Sequence, residues 1–206
     1  MTSPAASRPA RRSEARERLL ARASELFYAE GIGSVGVSRI VAEGDVTLAT
    51  FYRHFPAKQD LVVAYLEAVH DAIAERASTL RADHEGETLV RALGSEVASE
   101  VARPGFRGCA FLNAASEFED PEHPVRRAVA DHRRWYYGLV REAFAQAGHA
   151  LPGNAARHFL MLRDGAMSAG YLEGPTVARR TFGRGVEGLL RSIGMEPADP
   201  QEDVDD

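Results

Sequence analysis

The stretch GDVTLATFYRHFPAKQDL, residues 44–61, places Phe51, Phe55, Tyr52, Arg53 and His54 within a few positions and closes on Pro56 and Lys58, the one lysine of the chain. Gly44-Asp45 marks a turn, the run from Leu48 suits a short helix, and Pro56 has no N–H with which to continue it. So short a helix has little stability of its own and persists when large side chains pack it into a core. Phe51 and Phe55 are four apart and share one face, which supplies that packing. The opposite face then carries Thr47, Thr50, Tyr52, Arg53 and His54, a dense set of donors for phosphates and base edges. Thr47, or the Gly44-Asp45 turn, stands where the positive end of the helix dipole would approach a phosphate.

Upstream, SEARERLLARASELFYAEG sets Leu19, Ala23, Leu26 and Phe27 on one helical face, and Gly31 ends the segment. A second short helix follows in VSRIVAEG, with Val37, Ile40 and Val41 on one side and Gly36 at its N-cap. Three short helices, the last two joined by a tight glycine turn, make a helix-turn-helix pattern. Downstream, Leu61, Tyr65, Ala68, Val69 and Ile73 mark a longer helix over 58–81. Further helices are predicted at 86–102, 109–118, 124–147, 154–173 and 175–193, separated by ADHEGE, RPGFRG, EDPEHP, AGHALPGN and EGP. Strand-like alternation is absent, so the expected class is all-α. The expected organisation is an N-terminal arm and helix-turn-helix head over 1–57, a helical body over 58–195, and an acidic disordered tail over 196–206.

Composition narrows the function classes. At 206 residues with 45% hydrophobic content the chain can bury a sizeable core. No stretch approaches the apolar length a membrane helix needs, and the N-terminus lacks a signal-peptide core, so no membrane partner and a cytoplasmic location, at the nucleoid when DNA is bound, are expected. One cysteine, Cys109, excludes an internal disulfide and reads first as a small buried residue. The net charge of −5 disfavours nucleic acid, but its distribution does not: residues 1–60 carry nine basic against seven acidic groups, leaving the remainder strongly acidic. Arg8, Arg11, Arg12, Arg16 and Arg18, with Pro4 and Pro9, read either as a flexible arm contacting phosphate or groove, or as a plain solvated tail.

With these residues in view, Arg16 to Leu66 resembles the N-terminal domain of the tetracycline-repressor (TetR) family of bacterial regulators, through LFYAEGIGSVGVSRIVAEGDVTLATFYRHFPAKQDL and above all its FYRHFPAK core. The resemblance implies DNA-backbone contacts from Tyr52 and His54, a phosphate approached by Lys58, and contacts from Val37, Ser38 and Arg39 and from Thr47, Leu48, Ala49 and Thr50. Gly36 and Ala57 stand where the family usually has hydroxyl caps, and Asp45 stands at its usual turn glycine. Further on, GCAFLNAASEFEDPEHPVRRAV is similar to one subset of the family, in which it precedes two helices that pair between subunits.

Enzyme motifs carry little weight. GIGSVG (31–36) and GRGVEG (183–188) both match G-x-G-x-x-G, yet neither follows a strand, as a dinucleotide site requires. AMSAG (166–170) lacks the strand-turn-helix setting of a nucleophile elbow. His123, Asp131 and His132 read as a solvated loop and helix face, and no catalytic group, metal or cofactor is expected. Small residues at Ala166, Gly170 and Gly185, beside Phe182 and Leu189, read as close helix packing across a two-fold dimer interface. Cys109, Phe111, Asn113, Ser116, Phe118, Trp135, Tyr136, Phe144, Phe159, Met161 and Met167 read as lining a mostly apolar effector cavity with polar anchors, or as filled core.

The expectation is therefore a homodimeric repressor released from a pseudo-palindromic operator by a small-molecule effector. The alternative is a constitutive DNA-binding factor or activator whose C-terminal body only dimerises.

Overall fold

The computed structural model describes residues 9–193, the first five of them as backbone alone, so Arg8 and the acidic tail 196–206 lie outside the described residues. Nine helices and no strand occur among the described residues: α1 (Pro9–Glu30), α2 (Val37–Glu43), α3 (Leu48–His54), α4 (Lys58–Asp83), α5 (Gly86–Val101), α6 (Ala110–Glu117), α7 (Pro124–Gln146), α8 (Pro152–Leu172) and α9 (Pro175–Arg191). The all-α class holds, and the expected helices match to within a few residues. Helix α1 starts earlier than expected and takes Arg11, Arg12, Arg16 and Arg18 into regular backbone rather than a loose arm.

The chain packs as two units, one built from residues up to Ile73 with Cys109–His132, the other from Ala74–Gly108 with the residues from Arg133 on. This division by packing and the expected functional division at residue 57 are different partitions: α4 and α7 each belong to both units.

In the first unit Leu19, Ala23, Leu26 and Phe27 of α1 are buried, as their spacing predicts, together with Ile40 and Val41 of α2 and Leu61 and Tyr65 of α4. The α2–α3 turn uses two backbone devices. At Gly44 a Cβ would come within 3.0 Å of the Ile40 carbonyl, a tight fit, and within ordinary contact of a Leu19 methyl at 3.5 Å, so the turn lies close against α1. Asp45 takes the left-handed conformation at φ +49°, which explains why glycine is the more comfortable residue there, whereas Gly44 is right-handed at φ −81°. At the start of α4, Ala57 brings no hydroxyl cap, and the N3 residue supplies the other half of a capping box: Asp60 Oδ2 accepts the Ala57 N–H at 2.8 Å.

In the second unit α8 packs on α9 and both pack on α5. Phe159 stands between Phe144, 6.5 Å away, and Phe182, 5.6 Å away, in edge-to-face contacts. AMSAG lies inside α8 and GRGVEG inside α9, so neither has the strand-turn setting of the enzyme motif it resembles.

Candidate nucleic-acid interface

The two faces of α3 separate as the phenylalanine spacing predicts. Phe51 is fully buried and Phe55 nearly so, their centroids 6.0 Å apart, and the Arg16 guanidinium lies 5.2 Å from the Phe55 centroid. Tyr52 is 50% exposed and meets Phe51 edge-on at 5.2 Å, so the ring rests on the core while about half of the residue stays open to solvent. Leu48, Ala49 and Arg53 are exposed, and Thr50 and His54 are half-buried.

Thr47 is the N-cap of α3: its Oγ1 accepts the Thr50 N–H at 3.2 Å and lies 2.9 Å from the Thr50 hydroxyl. The Arg53 guanidinium reaches the same Thr50 hydroxyl at 3.5 Å. Threonine therefore starts the helix and aligns the hydroxyls beside a cation on one exposed surface. Such a surface can donate to phosphate oxygens and to base edges.

On α2, Ser38 is exposed at the first turn. Arg39 is exposed but already engaged, its Nε 2.9 Å from Glu43 Oε1 and its Nη2 2.8 Å from Glu30 Oε1. Those hydrogen bonds, Glu30 first, push its pKa further above the ordinary arginine value. Exposed pairs of this kind are worth little and exchange readily for another anion. Lys58 is turned inward: its Nζ donates to the Ile32 carbonyl at 2.5 Å and lies 5.9 Å from the Phe27 centroid. Burial lowers its pKa, and the Glu117 carboxylate partly offsets that.

The placement of two residues in this unit was not legible in the sequence, one exposed and one buried. Glu117, at the end of α6, accepts the Ile32 N–H at 2.9 Å and the Gly33 N–H at 2.5 Å. No sequence signal connects a glutamate to a turn about 85 positions away. His132, expected on a solvated face, is buried; its ring stacks on Phe111 at 3.6 Å and its Nδ1 lies 3.0 Å from that of His70. His70 and Phe111, on other helices, cover it, which periodicity along α7 alone could not show.

The residues expected at an effector cavity have mixed surroundings. In the first unit Cys109 and Phe111 are buried, whereas Asn113 and Ser116 are exposed, with the Ser116 hydroxyl turned to the Asn113 carbonyl at 2.8 Å. In the second unit Tyr136, Phe144, Phe159 and Met167 are buried, and Met161 is 71% exposed on the outer side of α8. Trp135 lines a surface cleft of about 580 Å³ with Arg81, Arg134, Arg141 and Glu142. Asn113, Ser116 and Met161 thus sit at the surface, because each lies on the side of its helix away from the core.

Two of the residues expected between subunits, Gly170 and Gly185, lie close against side chains of the same chain. A Cβ at Gly170 would lie 2.5 Å from Val101 Cγ1, and one at Gly185 would lie 2.8 Å from Leu162 Cδ1. Ala166 and Phe182 are buried beneath the same helices, and Leu189 is half-buried. Ala166, Phe182 and Leu189 also line a groove of about 590 Å³ along α8 and α9, together with Met161, Leu162, Val177 and Thr181.

Among the described residues no helix is long and apolar enough to cross a membrane, and no group of three or more histidine, cysteine or carboxylate side chains could hold a metal ion. Residues 19–65 match the model of the bacterial regulatory proteins of the tetR family. The HTH-type transcriptional repressor NemR of Escherichia coli (strain K12) is 26% identical over 133 residues, covering 63% of this chain and 67% of NemR. A solved regulatory protein TetR from Rhodobacter sphaeroides shares the fold, with a TM-score of 0.74 at 24% identity over 86% of this chain and 98% of that one. A solved TetR-family transcriptional regulator from Streptomyces coelicolor is 49% identical, with a TM-score of 0.85, over 88% of this chain and 96% of that one. At that identity and coverage, with the exposed donor face of α3 falling inside the matched segment, the chain belongs to the tetR family of bacterial transcriptional regulators and is a DNA-binding transcription factor rather than an enzyme.

Proposed function

We propose that the protein is a homodimeric repressor that holds a pseudo-palindromic operator with its two helix-turn-helix heads and is released when a small molecule binds the helical body. The observation that carries this reading is the division of α3 into a buried phenylalanine face and an exposed face of Thr47, Thr50, Tyr52 and Arg53. Leu48 and Ala49 stand at the N-terminal end of that face, Ser38 and Arg39 open the neighbouring helix, and His54 and Lys58 flank its far end. Two such helices related by a two-fold axis would enter successive major grooves about 34–36 Å apart. The second copy is best placed on the apolar groove along α8 and α9, where Met161 and Val177 are exposed. In the second unit, buried side chains such as Tyr136 and Met167 are the natural contacts of an apolar effector.

Fluorescence anisotropy of purified protein against the intergenic DNA beside its gene, with scrambled DNA as control, tests this. Sequence-selective binding that weakens steeply as salt rises is expected, because cations on the head displace counterions from phosphates. Equal binding to scrambled DNA, or a flat salt slope, overturns it. The surface positions of Asn113 and Ser116 favour a second reading, a constitutive factor whose body only dimerises. An effector screen on the same assay separates the two, since a gated repressor loses its operator in the presence of some small molecule and a constitutive factor does not.

A further inference from the structure

GIGSVG, rejected above as a dinucleotide fingerprint, lies in the turn between α1 and α2 and does hold an anion: the carboxylate of Glu117. After Gly31 ends α1 at φ +90°, Ile32 and Gly33 present consecutive backbone N–H groups. Successive N–H groups in such a turn form a concavity that suits an anion. Glu117 fills it with both oxygens, Oε1 on the Ile32 N–H at 2.9 Å and Oε2 on the Gly33 N–H at 2.5 Å. Gly33 gives the carboxylate room, since a Cβ there would lie 3.0 Å from Oε2, whereas one at Gly31 would only touch Oε1, at 3.5 Å. The carbonyl of the same Ile32 accepts from Lys58 Nζ. One peptide segment is thus held by α6 through its N–H and by α4 through its C=O.

Local helix energetics do not explain a glutamate at this position. Glu117 is the last residue of α6, where the negative end of the helix dipole disfavours a carboxylate. The carbonyls just beyond that end are served by a cation from α7, with Arg126 Nη1 3.0 Å from the Phe118 carbonyl and 3.3 Å from that of Glu119. The cost of placing negative charge there is offset by two charge-assisted bonds, and both go to the turn that leads directly into α2.

We propose that Glu117 is a positioning residue for DNA binding: its carboxylate ties the turn that opens the helix-turn-helix to the end of α6, so that the placement of α6 sets the placement of the DNA-reading helices. The inference rests on the dimeric regulator reading given above. Two heads must match two half-sites at once, so a head released from α6 binds one half-site normally and a palindrome less well.

Two variants break the tie from opposite sides. Glu117→Gln keeps the shape but presents an amide N–H₂ to one of the two N–H donors. Gly33→Ala has no left-handed backbone to offend and meets only the flexible end of Glu117 within 4 Å. Both are expected to accelerate amide hydrogen exchange at Ile32 and Gly33 without changing exchange in the buried α1 core. Duplexes selected from a random library by the wild-type protein are then titrated intact and with one half-site scrambled. Each variant is expected to lose about fivefold or more on the intact site, the lower range of allosteric coupling. Half-site binding should change by less than about twofold, and the double variant should bind no more weakly than either single one.

Unchanged exchange at Ile32 and Gly33 overturns the proposal, as do wild-type affinity for the intact site and an equal fall on both duplexes, the signature of a merely weakened head. Failure of the wild-type protein to select any duplex overturns the proposed function and the positioning role together. Wild-type selection with variants that match it overturns the positioning role alone.

Discussion

Adjacent residues of α3 are expected to fail in opposite ways when cut to alanine. Phe51 has no exposed surface and packs against Phe55, so Phe51→Ala removes a full aromatic ring from the core, at a cost of about 3–5 kcal/mol. Against a domain stability of about 5–15 kcal/mol, that loss lowers the unfolding midpoint strongly and weakens DNA binding by depleting folded protein. Tyr52 is half exposed and meets Phe51 edge-on, so Tyr52→Ala should cost at most about 0.5–1.5 kcal/mol of stability. If its hydroxyl donates to a phosphate, a hydrogen bond to a charged group worth about 1.5–3 kcal/mol is lost from the complex. That corresponds to operator binding weaker by roughly 10- to 150-fold at about 1.4 kcal/mol per factor of ten. Urea unfolding followed by circular dichroism reads the first effect, and anisotropy at fixed salt on protein verified as folded reads the second. Wild-type affinity in Tyr52→Ala, or a stability loss in it equal to that of Phe51→Ala, would refute the division of α3 into a packing face and a reading face.

Gly170→Ala should destabilise the protein by about 1–3 kcal/mol in urea, because the new methyl meets Val101 and Phe106 within the chain, while the association state in sedimentation stays unchanged. Met161→Glu should do the reverse: it places a charge on the exposed α8–α9 groove, so the protein shifts toward monomer in sedimentation, with its thermal unfolding at matched monomer concentration altered by no more than about 0.5 kcal/mol. Burial first, and then the charges of Tyr28 and Cys109, raise the Tyr65 pKa above the ordinary tyrosine value. A raised folded-state pKa gives stability that is fully present below the unfolded pKa of about 10 and is lost as pH climbs past it, at up to about 1.4 kcal/mol per unit. Tyr65→Phe should therefore show a shallower alkaline fall in stability than the wild type above about pH 10, and parallel curves would contradict that assignment.

The helices were legible because their signals are local. Leu19, Ala23, Leu26 and Phe27 recur at helical spacing, Pro56 stops α3, and Gly31 ends α1, so element type and approximate ends follow from neighbours a turn or two apart. The exposed side of α3 was legible for the same reason: once Phe51 and Phe55 face inward, the opposite face is set by 3.6-residue geometry. Positions that depend on which helix covers which could not be read this way. His132 looked solvated along α7 and is buried because His70 and Phe111 cover it. Met161 looked like a cavity residue and faces outward, while Gly170 and Gly185 looked like contacts between subunits and are closed by Val101, Phe106 and Leu162 of the same chain.

By itself, then, the amino-acid sequence determined an all-helical chain in which α3 is short and anchored by aromatic side chains, because helix period, capping and proline placement act over a few residues. Tertiary structure alone decided what the helices do to one another. It turned Lys58 inward to the Ile32 carbonyl and brought Glu117 to the backbone of a glycine turn about 85 residues earlier in the chain. Such contacts form between groups whose separation along the chain carries no information about their separation in space, so the folded packing, and no pattern within either segment, selects the partner.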